Sequence, residues 1–278
     1  MTMNITTIGK KIINGLKSKD TYGKYLSLSQ ISHRQKEVMY DIYKQYYHNT
    51  NFDLFFNDLN EKDGAIMVFE TQSNTIVGFS TVVLKHFDYQ GKRYRFIFSG
   101  DTVIVKEFWG SRALQSTMFK LKLKIRMKYP LDGVYWMLIS KGYKTYLLLA
   151  NNYDVYYPNF DNKHHNLAPI VEEYCNRFYA KYYDRHSGLL NFGDDYQPLK
   201  QSVAPITDDM RRKNNKIHFF EQRNPTWIHG TELPCLGQLD WKTIASYPIQ
   251  FLNKEKSHGK TEAIDHRQAV FQKLESHV

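Results

Sequence analysis

Between residues 64 and 105 the chain carries three apolar runs rich in β-branched and aromatic residues, divided by two clusters of turn chemistry. Ala65-Ile66-Met67-Val68-Phe69 follows Gly64, and Gln72-Ser73-Asn74 separates it from a second run, Ile76 to Leu84. Asp88-Tyr89-Gln90-Gly91-Lys92 then precedes a third, Tyr94 to Val105. Such side chains suit a pleated, half-buried surface, while Asn, Asp and Gly supply the dihedrals of tight turns. The pattern predicts a meander of three antiparallel strands. A sheet of that kind needs helices or a second sheet to cover its apolar side.

The flanking segments supply helices. Ser32 can cap one running to about His48, with Val38, Ile42 and Tyr46 at four-residue spacing. A short second helix follows Asn51 and carries Leu54, Phe55 and Leu59. Lys120 to Lys128 alternates like a strand, yet Leu114, Met118, Leu121 and Ile125 fall at helical spacing. From Ser111 to Tyr129 there is no Gly, Pro or turn cluster, a stretch too long for an ordinary strand, so a helix is predicted. Val134–Ile139 reads as a strand, Tyr143–Asn151 as a helix, and Asp154–Tyr157 as a short strand before Pro158. From residue 32 the order is α-α-β-β-β-α-β-α-β. The fold class expected is α+β, a mixed, mostly antiparallel sheet flanked by helices.

Three parts are expected along the chain: a polar, basic N-terminal arm over 1–28, a domain over 29–160, and a C-terminal extension over 161–278 packed on it. In the extension, Pro169 opens a helix reaching about Tyr183, and Thr207-Asp208-Asp209 caps another that ends before Pro225. Residues 255–278 read as a polar tail or weak helix. The 278 residues hold 38 Lys+Arg against 28 Asp+Glu, a net charge of +10 that favours anionic partners. Cys175 and Cys235 stand far apart without a CxxC partner, so they read as two buried thiols of a reducing compartment. No signal peptide and no membrane span is read, and a cytoplasmic location is expected. The tandem His164-His165 point opposite ways and have no carboxylate at ligand spacing, so no metal site is expected.

Two segments carry chemistry. After the third strand, Val105-Lys106-Glu107-Phe108-Trp109-Gly110-Ser111-Arg112-Ala113-Leu114 runs through a Gly-containing turn into a helix. Amides at a helix N-terminus lack intrahelical acceptors and face an anion favourably; Gly110 permits close backbone approach, and Arg112 adds a guanidinium. Within the strand, Phe98-Ser99-Gly100-Asp101-Thr102 holds a glycine that marks a bulge, and a bulge can aim Asp101 into a site. A partly buried Asp101 would have a raised pKa and serve better as a base; the other reading is a turn carboxylate satisfied by local amides. Glu107 is the fallback base. His86, at a strand end, reads as exposed.

With Ile76-Val77-Gly78-Phe79 and Asp101-Thr102-Val103-Ile104-Val105, this order over residues 30–160 resembles the GNAT superfamily of N-acyltransferases. The resemblance implies an enzyme that moves an acyl group from acyl-CoA, or from a phosphopantetheine-linked carrier, to an amine on a small molecule or protein. It implies that Val105, Trp109, Gly110, Ser111, Arg112 and Ala113 hold the donor's pyrophosphate and that a third-strand carboxylate, here Asp101, is the base. Trp109 stands where the family usually has Arg or Gln, and Arg112 where it usually has Gly. Leu148 replaces the Tyr that often protonates the leaving thiolate, which leaves Tyr143 or Tyr146 for that role. The basic charge would suit an acidic acyl carrier protein or a phosphate-bearing donor. Two other readings stand beside this one: a GNAT-like binding module without catalysis, and a basic nucleic-acid-binding protein. Against the latter, no nucleic-acid module is visible and the basic residues are spread along the chain.

Overall fold

A computed structural model describes residues 20–193 and 205–246 of the protein. Ser32 caps α1 (His33–Tyr46) reciprocally with Gln35, and the Asn51 carboxamide accepts from the first amides of α2 (Phe52–Asn60). The meander follows as β2 (Gly64–Glu70), β3 (Ile76–Tyr89) and β4 (Lys92–Ile104), each antiparallel to the next. The ambiguous stretch is helical, α3 (Ala113–Lys128), and leads to β5 (Gly133–Ser140), α4 (Tyr143–Ala150) and the short β6 (Tyr156–Tyr157). The predicted order from residue 32 is therefore the one observed.

Three local expectations are corrected. Residues 21–27, expected in the arm, form β1 (Thr21–Ser27), paired antiparallel with β2; residues 1–19 lie outside the described segments. Gly23, which reads as punctuation, is instead where α3 crosses the strand: a Cβ there would run into Thr117 and, at 2.6 Å, the Ala113 carbonyl. The helix opened by Ala168 and Pro169, α5 (Ala168–Phe178), stops five residues short of Tyr183, which begins the hairpin β7 (Tyr183–Asp184) and β8 (Leu189–Asn191). The helix capped by Thr207 is two helices, α6 (Asp208–Lys213) and α7 (Asn215–Arg223), because Asn214 turns extended and recaps with its own side chain. The predicted tail 255–278 lies outside the described residues.

The last described strand, β9 (Thr231–Gln238), comes from beyond residue 160 and pairs antiparallel with β5, so one sheet runs β1-β2-β3-β4-β5-β9-β8-β7 with β6 also on β9. Among the described strands only β4 and β5 are parallel to each other. One face buries Ile66, Ile97, Val134, Leu138 and Cys235 against α3, α4 and α7. The other packs Met67, Phe79 and Val103 on α1 and α2, and Phe96, Met137 and Leu236 on α5. Each large side chain so buried contributes about 1.5–3 kcal/mol. The fold is thus a mixed, mostly antiparallel sheet flanked by helices. Among the described residues no helix is long and apolar enough to cross a membrane.

Candidate active site

The parallel pair does not stay together. β4 and β5 are in register from Tyr94 with Gly133 to Phe98 with Met137, and then part. Beyond that point β4 continues beside β3 to Ile104, and β5 beside β9 to Ser140. The parting opens a crevice at the C-terminal ends of parallel strands, the usual place for ligands in such sheets, and it frees backbone groups of both strands. The helices that follow these two strands begin without a capping side chain at their N-caps: α3 from Arg112, and α4 from Gly142.

The bulge expected at Gly100 is present. Ser80 pairs with Thr102 and Val82 with Ser99, so Gly100 and Asp101 together oppose Thr81. The extra residue shifts the alternation: Phe96 and Phe98 pack toward α5, and beyond the bulge Val103 packs toward α1 and α2 on the same face. Asp101 shares that phase. Burial, and then the Asp58 carboxylate at the end of α2, raise its pKa, while Lys62 and Lys141 oppose the rise. The Thr81 hydroxyl beneath is buried and has no hydrogen-bond partner, and a Cβ on Gly100 would come within 2.6 Å of it. An orphaned polar group at this point fits a site that holds a ligand or water.

At the level of Asp101, on the far side of β5, stands a carboxylate the sequence reading missed. Glu232 of β9 is almost wholly buried, with Lys141 Nζ 3.6 Å away. Burial pushes its carboxyl up to about 7; Lys141 pulls it back and Asp101 adds to the rise. Lys62 pairs with Asp58 at 2.6 Å. Tyr43 and Tyr47 stack at 4.2 Å beside this group, and the Lys141 ammonium sits 5.9 Å over the Tyr47 ring. Burial, then the Asp101 charge, raise the Tyr43 hydroxyl further. Three carboxylates, two ammonium groups and a pair of rings thus converge on one side of the crevice.

The loop after β4 is fastened at both ends. Val105 N–H donates to the Val77 carbonyl, and the Trp109 indole donates to the Ile104 carbonyl at 2.8 Å, leaving the ring half exposed. Gly110 has a φ of +88°, in the region that favours glycine, with open space where a Cβ would stand. Ser111 Oγ accepts from Ala113 N–H at 3.3 Å and also meets Thr21 Oγ1 of β1. The segment read as an anion loop is thus a built turn tied to β3 through Val77 and to β1 through Thr21.

The two tyrosines differ. Tyr143 opens α4 beside Lys141, and its hydroxyl has no hydrogen-bond partner among the described residues. Tyr146 is fully buried among Tyr156, Phe219 and Phe220, its hydroxyl donating to the Pro158 carbonyl at 3.0 Å, which commits it to the core. Leu148 is half exposed, Glu107 and His86 are exposed, and both cysteines are buried thiols. Among the described residues no three His, Cys, Asp or Glu side chains are grouped to hold a metal ion.

No protein-family model matches the sequence, and no curated protein does. Solved structures are similar over part of it. A conserved protein of Enterococcus faecalis V583 described as a probable N-acyltransferase shares 12% identity over 48% of this chain and 33% of that one, with a TM-score of 0.36. An acetyltransferase of Trypanosoma brucei shares 15% over 47% of this chain and 91% of that one, TM-score 0.32. A glucosamine-6-phosphate N-acetyltransferase of Arabidopsis thaliana shares 13% over 43% and 81%, TM-score 0.30. The match spans a third of the Enterococcus chain. Each of these likenesses covers less than half of this chain.

Proposed function

We propose that the protein is an N-acyltransferase that moves an acyl group from acyl-CoA, or from a phosphopantetheine-linked carrier, to an amine. The observation that carries this reading is the parting of β4 from β5 with Asp101 set beside it by the bulge. A pantetheine arm is extended and carries amides, which suits the free backbone groups of two diverging strands. Its phosphates suit the turn at Trp109–Arg112 and the start of α3, whose N-cap residue supplies no capping side chain. The net charge of +10 suits a phosphate-bearing donor and an acidic carrier alike.

In this reading the thioester carbon lies at the end of β5, and the amine enters from the side of α1, α2 and α5. The amine nitrogen bonds to the acyl carbon and loses its proton to the Asp101 carboxylate. The carbon–sulfur bond breaks, and the leaving thiolate takes a proton from the Tyr143 hydroxyl. Burial that raises the Asp101 pKa makes its carboxylate a stronger base. Holding both reactants in line supplies much of the remaining acceleration.

The test is turnover against a panel of acyl donors and amines, with donor binding read by native mass spectrometry. Asp101→Asn is expected to lose about 10²–10⁴-fold in turnover, the range for general acid–base work, with donor binding kept. Turnover within a few-fold of the parent across neutral pH would leave Asp101 a strand residue only. Donor binding without any turnover would favour a silent binding module.

A further inference from the structure

A cavity outside this crevice has a charge pattern of its own. Along the outer edge of β9, β8 covers Thr231 and Glu232 and β6 covers Leu236 and Gly237, which leaves Leu233 to Cys235 without a strand partner on that side. Pro234, which has no N–H to offer, stands in the gap. A cavity of about 210 Å³ opens there, between α5, the β7–β8 turn and the end of α7. That is roughly seven times the volume a water occupies in the liquid.

Its walls carry two guanidinium groups, Arg185 and Arg223, with His186, Ser187 and a single carboxylate, Glu172. Among the described residues neither arginine has a carboxylate within ion-pair distance. Arg185 is held by its Nε, which donates to Asn176 Oδ1 at 2.8 Å and leaves both terminal nitrogens free of that bond. Arg223 is half buried, and its terminal nitrogen lies 3.6 Å from where a Cβ of Gly188 would be. Gly188 has a φ of +71°, a backbone conformation that favours glycine.

The turn that bears Arg185 is rigid. The Asp184 carboxylate accepts from the amides of His186 and Ser187 and from the Ser187 hydroxyl, and those bonds hold its pKa below the usual range. The turn's amides are thereby spent locally, and recognition falls to the side chains. Two planar forks that line one cavity, neither ion-paired to a carboxylate among the described residues, match the oxygens of a phosphate or carboxylate. We propose that this cavity binds a small molecule through an oxyanion group, phosphate or carboxylate, held between Arg185 and Arg223. The proposal does not rest on acyl transfer.

The full-length chain is titrated at fixed ionic strength with inorganic phosphate, phosphoserine, acetate and citrate, with binding read by calorimetry. Arg223→Gln, Arg185→Gln and, as a surface control, Arg212→Gln are titrated alongside, each with its melting checked. Saturable binding that weakens at least tenfold in Arg223→Gln and Arg185→Gln, with the control unchanged, supports the site. Arg185 is exposed, so its variant tests the site even if Arg223→Gln fails to fold. The phosphate and carboxylate arms separate the two kinds of ligand. Absence of saturable binding by every probe, or equal affinity in all four proteins, overturns the proposal.

Discussion

Single residues carry two opposed pH effects. Glu232 is pushed up to about 7 from 4.5, chiefly by burial. The folded chain therefore binds more protons than the unfolded one between those values, and stability falls as pH rises through that window, by on the order of 3 kcal/mol. Glu232→Gln should flatten this slope and leave the protein more stable than its parent at pH 8. Urea unfolding from pH 5 to 8 measures it, and an unchanged slope would assign the pH dependence elsewhere. If Asp101 is the base proposed above, activity should climb with pH as its carboxyl, raised by burial, loses its proton. Lys122 is a second outlier, buried on α3 with no carboxylate in ion-pair distance among the described residues. Its Nζ lies 3.2 Å over the Trp136 ring and donates to Tyr153 Oη at 3.0 Å, and burial lowers its pKa well below the usual value. The ring and the hydrogen bond return about 2 and 1 kcal/mol, less than the several that burying an ammonium costs. Lys122→Met should therefore gain about 1 kcal/mol at pH 7, and the gain should shrink as pH nears 10.5, where the unfolded lysine also sheds its charge. A loss of stability at pH 7 would show that the ring contact outweighs burial. The bulge at Gly100 was legible because a glycine inside a strand pattern signals one. Glu232 was not, because Pro234 and Gly237 argue against a central strand, and only the gap between β6 and β8 makes Pro234 tolerable.

At the scale of elements, what periodicity encodes was readable and what partners impose was not. Ser32, Asn51 and Thr207 each cap the helix they predict, since the signal and the structure are the same local hydrogen bond. β1 escaped because its short polar sequence becomes a strand only through β2 and the pressure of α3 on Gly23. The turn from β4 into α3 yields the sharpest test of the proposed donor site. Gly110→Val places a β-branched residue at a φ of +88°, and it is expected to reduce donor affinity in protein that still folds. Arg112→Ala leaves the backbone alone and should cost roughly 1–3 kcal/mol of donor binding, less at high salt. Calorimetry on folded variants reads both. Unchanged affinity in a well-folded Gly110→Val protein would remove this loop from the site, and with it most of the case for acyl transfer.

For the molecule as a whole, the C-terminal part is not an ornament on a finished domain. β9 covers the edge of β5 from Tyr135 to Ser140 and brings Glu232 to the crevice. A fragment ending at 160 would leave that edge open and Leu138, Met137 and Tyr146 without Cys235, Leu236 and Phe220 beside them. It is expected to lose cooperative unfolding and to aggregate; a soluble fragment with a single sharp transition and full activity would contradict this. The two cysteines divide the same architecture. Cys175 sits on α5 against one face and Cys235 in the sheet itself, both fully buried, with burial pushing each thiol up to about 12. Thiolates are the reactive form, so neither sulfur meets an alkylating reagent until its surroundings open. The native chain thus carries two internal clocks, and the order in which they are struck tells whether α5 lifts away before the sheet comes apart.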